Sequence, residues 1–197
     1  VAVGQNQIFH ATQKKIQRAI SDRSLNPTIP RYIDYETYVR NDGYKTLRRC
    51  YSGLVSREEV IVSLEDSELR GLGGAGFPTG RKWRIVREFS GPRLMAVNGD
   101  EGEPGTFKDR YFIEKDPHRF LEGLLIGMWV VEAEACYIYL RDEYPAGRAI
   151  LAETIAQLEK SGLLKPGIVH LRRGAGAYIC GEESAMLESI EGKRGIP

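Results

Sequence analysis

Two patterns of apolar and polar positions alternate in the second half of the chain. Short apolar runs at residues 94–97, 136–140 and 168–171 each end in a polar segment, as buried strands do. Longer amphipathic stretches lie between them, from about 118 to 134 and from 145 to 160. Strands that alternate with helices of this length predict an α/β layer fold with a mostly parallel sheet.

The first half of the chain is less regular. Ser56 and Glu59 form a capping box that predicts a helix over residues 56–69, and Pro78 suits the first turn of a helix running to about residue 89. Before them, residues 5–12 could form a strand, prolines break the following linker, and residues 34–51 indicate two short helices around a turn. We therefore expect an irregular, partly helical arm over residues 1–55 and a domain over 56–197.

A glycine-rich loop joins the two helices at residues 56–69 and 78–89. Five of the ten residues from 71 to 80 are glycine, and residues 71–76 match G-x-G-x-x-G. A Rossmann first turn needs a strand before this motif, and a P-loop needs Gly-Lys-Ser/Thr, so neither pattern fits. The alternatives left are a flexible surface loop and a backbone cradle for an anion at a helix N-terminus. Arg81 and Lys82 suit a phosphate, and Phe77 and Trp83 suit a planar ring.

An acidic loop follows the first predicted strand, at residues 98–110. Asp100, Glu101 and Glu103 are crowded into four positions. A solvated acidic turn, a divalent metal and hydrogen bonding to sugar hydroxyls all remain open, although the spacing does not match an EF-hand. Asn98 ends the strand and offers both a donor and an acceptor to a heterocycle.

A third loop, at residues 172–186, follows the last predicted strand and leads into a helix near Glu182. Glu182 and Glu183 would stabilise that helix as caps. Two carboxylates beside a ribose would also bind its hydroxyls and repel a 2′-phosphate, which favours NAD(H) over NADP(H). Ligands of open α/β sheets bind beyond the carboxyl ends of the strands, where the second and third loops are expected.

Composition narrows the function further. A net charge of +1 does not favour nucleic acid, and the longest apolar run, residues 124–131, is too short to cross a bilayer. Three widely spaced cysteines argue against a disulfide framework and against a self-contained metal site, and they indicate a cytoplasmic location. The chain begins at Val1 and stops at Pro197 without a helix cap, so we expect a fragment of a longer polypeptide.

Taken together, residues 71–83, 98–110 and 174–192 resemble the family of FMN- and NADH-binding flavoprotein subunits found in complex I, NAD-linked hydrogenases and NAD-dependent formate dehydrogenases. The resemblance covers about residues 56–197. Residues 116–123 and 137–144 look closest to the formate dehydrogenase beta subunit. The resemblance implies a three-layer, Rossmann-like FMN-binding domain. The membrane-associated Rnf complex C subunit shares the glycine loop and is an alternative, as is an interaction fragment without flavin.

The resemblance also implies roles for the glycine loop. Its backbone would lie against the flavin and the dinucleotide at Gly71, Gly73, Gly74 and Ala75. Phe77 would stack on part of the NADH. Lys82 is similar to the family's lysine beside the FMN phosphate or ribityl chain.

In the other two loops, Asn98 and Asp100 would hold the flavin ring and the ribityl hydroxyls. Glu101 and Glu103 would lie beside the nicotinamide and its ribose. The pocket would be completed by Tyr178, Gly181, Glu182 and Glu183. Glu183 is the residue expected to reject NADPH.

The chemistry that the resemblance implies is hydride transfer between NAD(H) and FMN, followed by one-electron exchange with iron–sulfur clusters. No side chain has to act as an acid, base or nucleophile, since the cofactor carries the reaction. The family continues into a small β-rich domain and a helical domain that holds a [4Fe–4S] cluster. The implied partners are a [2Fe–2S] thioredoxin-like subunit and a larger iron–sulfur or molybdenum/tungsten subunit, without a direct membrane span.

Overall fold

The computed structural model describes residues 1–72 and 74–197 of the chain. The N-terminal segment begins with a small antiparallel pair of strands and continues as helices. These elements are β1 (Ala2–Val3), β2 (Asn6–Gln7), α1 (Gln13–Ser21), α2 (Tyr35–Arg40) and α3 (Lys45–Tyr51). The two short helices expected within residues 34–51 are therefore confirmed.

The larger part of the chain alternates helices with parallel strands. Its elements are α4 (Arg57–Asp66), α5 (Thr79–Glu88), β3 (Leu94–Gly99), α6 (Lys108–Lys115), α7 (Pro117–Val131), β4 (Ala135–Leu140), α8 (Pro145–Lys160), β5 (Val169–Arg173) and α9 (Glu183–Ile190). A single turn of 3₁₀ helix, Tyr178–Gly181, precedes α9. In the described part of the chain, the sheet has the order β3–β4–β5 and both pairings are parallel.

The register of the sheet brings the loops after β3 and β5 to one edge. Gly99 at the end of β3 pairs with Leu140 at the end of β4, and Leu140 pairs in turn with Arg173 at the end of β5. The loops that leave β3 and β5 therefore emerge side by side. This is the edge at which open α/β sheets bind ligands.

Helices cover both faces of the sheet. Alternate β4 residues, such as Ile138 and Leu140, point into the main core, which α7 and α8 complete with residues such as Leu121 and Leu151. On the opposite face, Tyr139 packs against Cys180 and Met186 near and within α9. The predicted three-layer α/β fold with a parallel sheet is confirmed.

Several predicted boundaries were wrong by a few residues. The helix predicted to reach residue 69 ends at Asp66, and Glu68 adopts a left-handed φ of 54°. The helix predicted to reach residue 134 ends at Val131, because Glu132 adopts a left-handed φ of 56°. The strand considered for residues 5–12 is limited to β2, since Thr12 already caps α1 by accepting a hydrogen bond from the Lys15 N–H.

Candidate functional site

The glycine loop between α4 and α5 is closed at its neck by backbone hydrogen bonds. The N–H of Gly71 donates to the carbonyl of Phe77 at 3.1 Å, and the N–H of Thr79 donates to the carbonyl of Leu69 at 2.9 Å. The Arg70 guanidinium also donates to the carbonyl of Gly76 at 3.2 Å. The loop therefore has a defined base, which is not expected of a flexible surface loop.

The tip of this loop is open on one side. Gly74 and Gly76 have φ values of 101° and 60°, in the region that favours glycine. A Cβ atom added at either position would meet nothing within 4 Å. The backbone is thus exposed where a ligand could approach it closely. Gly73, which was predicted to contact the cofactors, lies outside the described residues.

Helix α5 follows the loop and is held tightly against α4. Gly80 leaves so little room that an added Cβ would stand 2.9 Å from the Ile61 carbonyl. Arg84 adds a two-point ion pair to Glu65, with nitrogen–oxygen distances of 2.9 and 2.7 Å. The N-terminus of α5, which attracts anions, and Lys82 one turn later are therefore placed by rigid packing.

One open cleft of 820 Å³ lies between the glycine loop, strand β3 and helix α7. The predicted site residues that line it are Gly71, Ala75, Phe77, Lys82 and Asn98. Thr79 and Trp83 of α5 line it as well. The structure thus brings the glycine loop and the start of the acidic loop to a shared cavity.

Helix α7 supplies a wall of the cleft that was not predicted from the sequence. Phe120, Gly123, Leu124 and Gly127 all line it. Gly123 has open space where a Cβ would stand, and a Cβ at Gly127 would lie 3.1 Å from the Trp83 ring. A glycine inside a helix destabilises it by about 1 kcal/mol relative to alanine. The G-x-x-x-G spacing of Gly123 and Gly127 was therefore the feature of the sequence that could have indicated this wall.

Asn98 joins the second and third loops. Its side-chain amide donates to the carbonyl of Gly181 at 2.8 Å, and its side-chain oxygen accepts from the N–H of Asp100 at 3.0 Å. Close packing reinforces the junction, because a Cβ at Gly102 would lie 2.9 Å from the Tyr178 ring. The predicted convergence of these loops at one sheet edge is therefore present, with Asn98 bordering the cleft as well.

Asp100 carries a half-buried carboxylate at this junction. Burial raises its pKa; Arg141 opposes the shift, and the charges of Glu143 and Glu103 add to it. One carboxylate oxygen, Oδ2, is buried and makes no hydrogen bond within the described residues. A buried acceptor without a donor is uncommon, so the hydrogen bonding of this junction is incomplete within the described residues.

Glu101 points away from this junction and into the protein. It is 3% exposed and accepts hydrogen bonds from the N–H of Asp109 at 2.9 Å and from the Tyr144 hydroxyl at 2.8 Å. Burial would raise its pKa, but these bonds and that of the Arg110 N–H lower it overall. The carboxylate thus caps the N-terminus of α6. Glu103 lies near the surface, 3.5 Å from the Tyr178 hydroxyl.

The two glutamates at the start of α9 differ in their contacts. Glu182 caps the helix, accepting from the N–H groups of Ser184 and Ala185 at 2.9 and 3.0 Å. Hydrogen bonds led by the Ser184 hydroxyl lower the pKa of Glu182. Glu183 is exposed in the first turn of α9. The capping interpretation therefore describes Glu182, while the Glu183 carboxylate faces solvent close to the joined loops.

The described residues contain neither a metal-binding cluster nor a helix suited to span a membrane. Across residues 1–72 and 74–197, no group of three or more histidine, cysteine or acidic side chains is arranged to hold a metal ion. In the same part of the chain, no helix has the length and apolarity needed to cross a membrane. The arrangement described above consists of backbone, amide, carboxylate and lysine groups around a partly apolar cleft.

Comparison with known proteins identifies the family of the chain. A family model, Complex1_51K, described as the Nuo51 FMN-binding domain, matches residues 64–197. The F subunit of NADH-quinone oxidoreductase from Aquifex aeolicus is 45% identical over 195 residues, which cover 92% of this chain and 45% of that protein. The second F subunit of the same enzyme class from Rhizobium meliloti is 47% identical over 188 residues, covering 88% and 44%. The chain thus spans less than half the length of these relatives.

Two solved structures of one enzyme are also similar to the chain. The NAD⁺-reducing [NiFe]-hydrogenase in its air-oxidized state aligns with the whole chain, with a TM-score of 0.78 and 29% identity, and 36% of that protein is covered. The H₂-reduced state aligns with 72% of this chain and 25% of that protein, with a TM-score of 0.64 and 40% identity. The chain belongs to the Nuo51 FMN-binding domain family.

Proposed function

We propose that the cleft binds FMN, that NAD(H) binds beside it at the joined loops, and that the chain is the flavin module of an NADH:acceptor oxidoreductase. The observation that carries this proposal is the shared 820 Å³ cleft between the glycine loop, β3 and α7. Its volume lies in the range of about 300–1,000 Å³ that small-molecule and cofactor sites occupy. The chemistry that FMN supplies when bound is hydride exchange with NAD(H) and one-electron exchange with iron–sulfur clusters.

The residues present fit such a ligand. The open backbone at Gly76, which lines the cleft, accepts a close approach. Lys82 with the N-terminus of α5 suits a phosphate. Asp100 does not line the cleft, and we place its carboxylate at the loop junction, beside the polar chain of the ligand. Phe77, 44% exposed on the rim, offers a surface on which a ring of the dinucleotide can stack.

The remaining side chains position these groups and take no part in proton transfer. Asn98 fixes the spacing of the two loops that border the ligand, and Glu101 holds the acidic loop to the start of α6. Tyr178 and Gly181 form the other side of the junction. We place the exposed carboxylate of Glu183 near the NAD(H) ribose, where it would repel a 2′-phosphate.

The parent enzyme is a further part of this proposal. The relatives named above are quinone-linked and hydrogen-linked enzymes, which supports a complex I-type or NAD-reducing hydrogenase-type module. A formate dehydrogenase beta subunit is supported by the resemblance of residues 116–123 and 137–144 alone. We infer iron–sulfur partner subunits, a [4Fe–4S] domain C-terminal to this region and a cytoplasmic location, because these belong to the family that the chain resembles.

Titration with FMN and with riboflavin, which lacks the phosphate, tests the proposal through the quenching of flavin fluorescence. We expect FMN to bind more tightly than riboflavin. The substitution Lys82→Gln should weaken FMN at least tenfold and leave riboflavin unchanged, since a hydrogen bond to a charged group contributes about 1.5–3 kcal/mol.

Arg81→Gln is the matched control, because Arg81 is the neighbouring cation and its guanidinium lies 5.8 Å from the Phe77 ring rather than in the lining of the cleft. It should leave both affinities unchanged. Equal binding of FMN and riboflavin, or equal effects of the two substitutions, would contradict the phosphate site. Failure of the full-length protein to bind either flavin would leave a scaffold without a cofactor.

A further inference from the structure

Three tyrosines from the N-terminal segment enclose His118 of α7. The imidazole is fully buried, at 0% exposure. The Tyr38 ring stacks on it with 5.7 Å between centroids, and the rings of Tyr35 and Tyr44 approach edge-on at 5.7 and 5.9 Å. Because these tyrosines lie in α2 and directly before α3, the cage exists only while residues 34–51 are seated on α7.

Glu122, one turn after His118, holds the same segment. Its carboxylate accepts from the Tyr38 hydroxyl at 2.6 Å, from the Tyr44 N–H at 2.9 Å and from the Leu47 N–H at 3.2 Å. Tyr44 is the N-cap residue of α3 and has a left-handed φ of 61°. Glu122 therefore caps α3 from a neighbouring helix, so α2 and α3 depend on α7 for their position.

The hydrogen bonds of His118 suit an uncharged ring. Its Nδ1 atom lies 2.7 Å from the Tyr44 hydroxyl, while Nε2 is buried and has no hydrogen-bond partner in residues 1–72 and 74–197. A neutral imidazole can accept from the hydroxyl at Nδ1. That tautomer already leaves a neutral N–H at Nε2 without an acceptor. A charged imidazolium would leave a charge-bearing N–H there, and an unpaired charge is far more costly to bury than an unpaired neutral group.

The charged groups around the cage are already engaged. Asp34 accepts from the Thr37 N–H at 2.8 Å, and Asp116 pairs with the Arg119 guanidinium at 2.8 Å. Glu122, as described, accepts three hydrogen bonds. Their carboxylate oxygens therefore accept from donors other than the His118 ring.

The titration of the cage follows from this burial. Burial lowers the pKa of His118, although Asp116 and Asp34 oppose the shift. Burial likewise raises the pKa of Tyr38 and of Tyr44, with Glu122 contributing to both, so these hydroxyls stay protonated. Since the folded pKa of His118 is below the unfolded value, its contribution to stability is complete above the ordinary histidine pKa of about 6.5 and is lost as the pH falls below it.

We propose that the cage, which consists of Tyr35, Tyr38 and Tyr44 around His118, acts as a pH-dependent clamp. Residues 34–51 pack on α7 while the His118 ring is uncharged, and protonation of the ring releases them. The consequence reaches the cleft, because the cleft-facing residues Phe120 and Gly123 lie on the same turns of α7 as His118 and Glu122. Acidification would thus loosen the helix that forms one wall of the cleft. This clamp is independent of the identity of the cleft's ligand.

Amide hydrogen exchange between pH 5 and pH 8, corrected for the intrinsic rate, tests the clamp. Peptides covering α2 and α3 report its opening, and a peptide from α8 serves as the internal reference. We expect the open population of α2 and α3 to rise about tenfold per pH unit below about 6.5, as uptake of one proton requires. The phenyl ring of a His118→Phe variant cannot take up a proton, so its opening should not vary with pH.

His10→Gln is the matched control, since His10 is one of three histidines in the chain and is exposed. It should keep the pH slope of the original protein. The proposal is overturned if that slope is absent, or if His118→Phe retains it. Should His118→Phe fail to fold, the NMR titration of the His118 ring in the unaltered protein decides. A ring pKa at or above about 6.5 overturns the clamp, and a lower one supports it.

Discussion

Gly80 and Gly123 are helix glycines for which we expect opposite responses to the same added methyl group. In Gly80→Ala, the new Cβ would stand 2.7 Å from Cγ of Glu65, 2.8 Å from the Glu65 nitrogen and 2.9 Å from the Ile61 carbonyl oxygen. The last two are backbone atoms of α4, so they cannot rotate away. Overpacking of this kind costs about 1–3 kcal/mol, whereas the gain in helix propensity is at most about 1 kcal/mol. We expect a net destabilisation of about 1–2 kcal/mol.

Gly123→Ala is the matched substitution on α7. Nothing lies within 4 Å of the position that the Cβ would take, and the site is exposed within the helix. The propensity gain is then unopposed, so this variant should be more stable than the original protein by about 0.5–1 kcal/mol. Each variant replaces a helical glycine by alanine, in the first turn of α5 and in the interior of α7, and the main difference between them is the space around the added Cβ.

Equilibrium unfolding in urea, followed by the fluorescence of Trp83 and Trp129, measures both effects. With a slope of about 1–3 kcal/mol per molar urea, the midpoints should move in opposite directions by a few tenths of a molar to about 1 M. The slopes themselves should stay equal, since the substitutions do not change the surface exposed on unfolding. A Gly80→Ala protein as stable as the original would show that α4 and α5 do not cross at Gly80, and the placement of Lys82 would lose its support.

Three more substitutions examine the loops and the cleft. Glu101→Gln should lower the free energy of unfolding by about 1–3 kcal/mol at pH 7. The loss should be smaller near pH 4. Because the pKa of Glu101 is lowered in the folded protein, its contribution to stability is complete above the ordinary glutamate pKa of about 4.3 and disappears as the pH falls through the folded pKa. Equal losses at both pH values in urea titrations would contradict the capping role. Gly123→Leu should keep the stability gain yet weaken FMN at least tenfold in the fluorescence titration, since its side chain enters the cleft. In the full-length enzyme, Glu183→Ala should raise kcat/KM for NADPH relative to NADH at least tenfold, and an unchanged ratio would reject its proposed role.

The sheet and its covering helices could be predicted because their patterns are local. The apolar runs around β3, β4 and β5 and the amphipathic stretch of α8 match the structure to within two residues. Helix α6 was missed for a physical reason: Phe107, its N-cap residue, makes no capping hydrogen bond through its side chain. The cap comes from Glu101, which lies earlier in the chain and reaches α6 only in the folded state. Helix α1 was also missed, although Ile16, Ala19 and Ile20 recur at helical spacing within it.

The sequence predicted which types of side chain the candidate site contains, but it could not predict the direction in which each side chain points. Asp100, Glu101 and Glu103 are equivalent in the sequence, as carboxylates of one short loop. The structure separates them into a half-buried acceptor, an inward helix cap and a surface group near Tyr178. That separation depends on the Tyr144 hydroxyl and on the first N–H groups of α6, which meet Glu101 only once the chain has folded.

Residues 116–123, at the start of α7, contact two different parts of the molecule. Asp116 caps the helix and Pro117 occupies its first turn. After that, the 100° step of the helix sends His118 and Glu122 toward the N-terminal segment, while Phe120 and Gly123 face the cleft. A substitution on one side can therefore reach the other through the shared backbone. Because the clamp and the cleft meet on the same two turns, a change in flavin affinity caused by His118→Phe would not by itself place His118 at the ligand. The pH slope of exchange in α2 and α3 is the quantity that separates contact with the cofactor from movement of the helix.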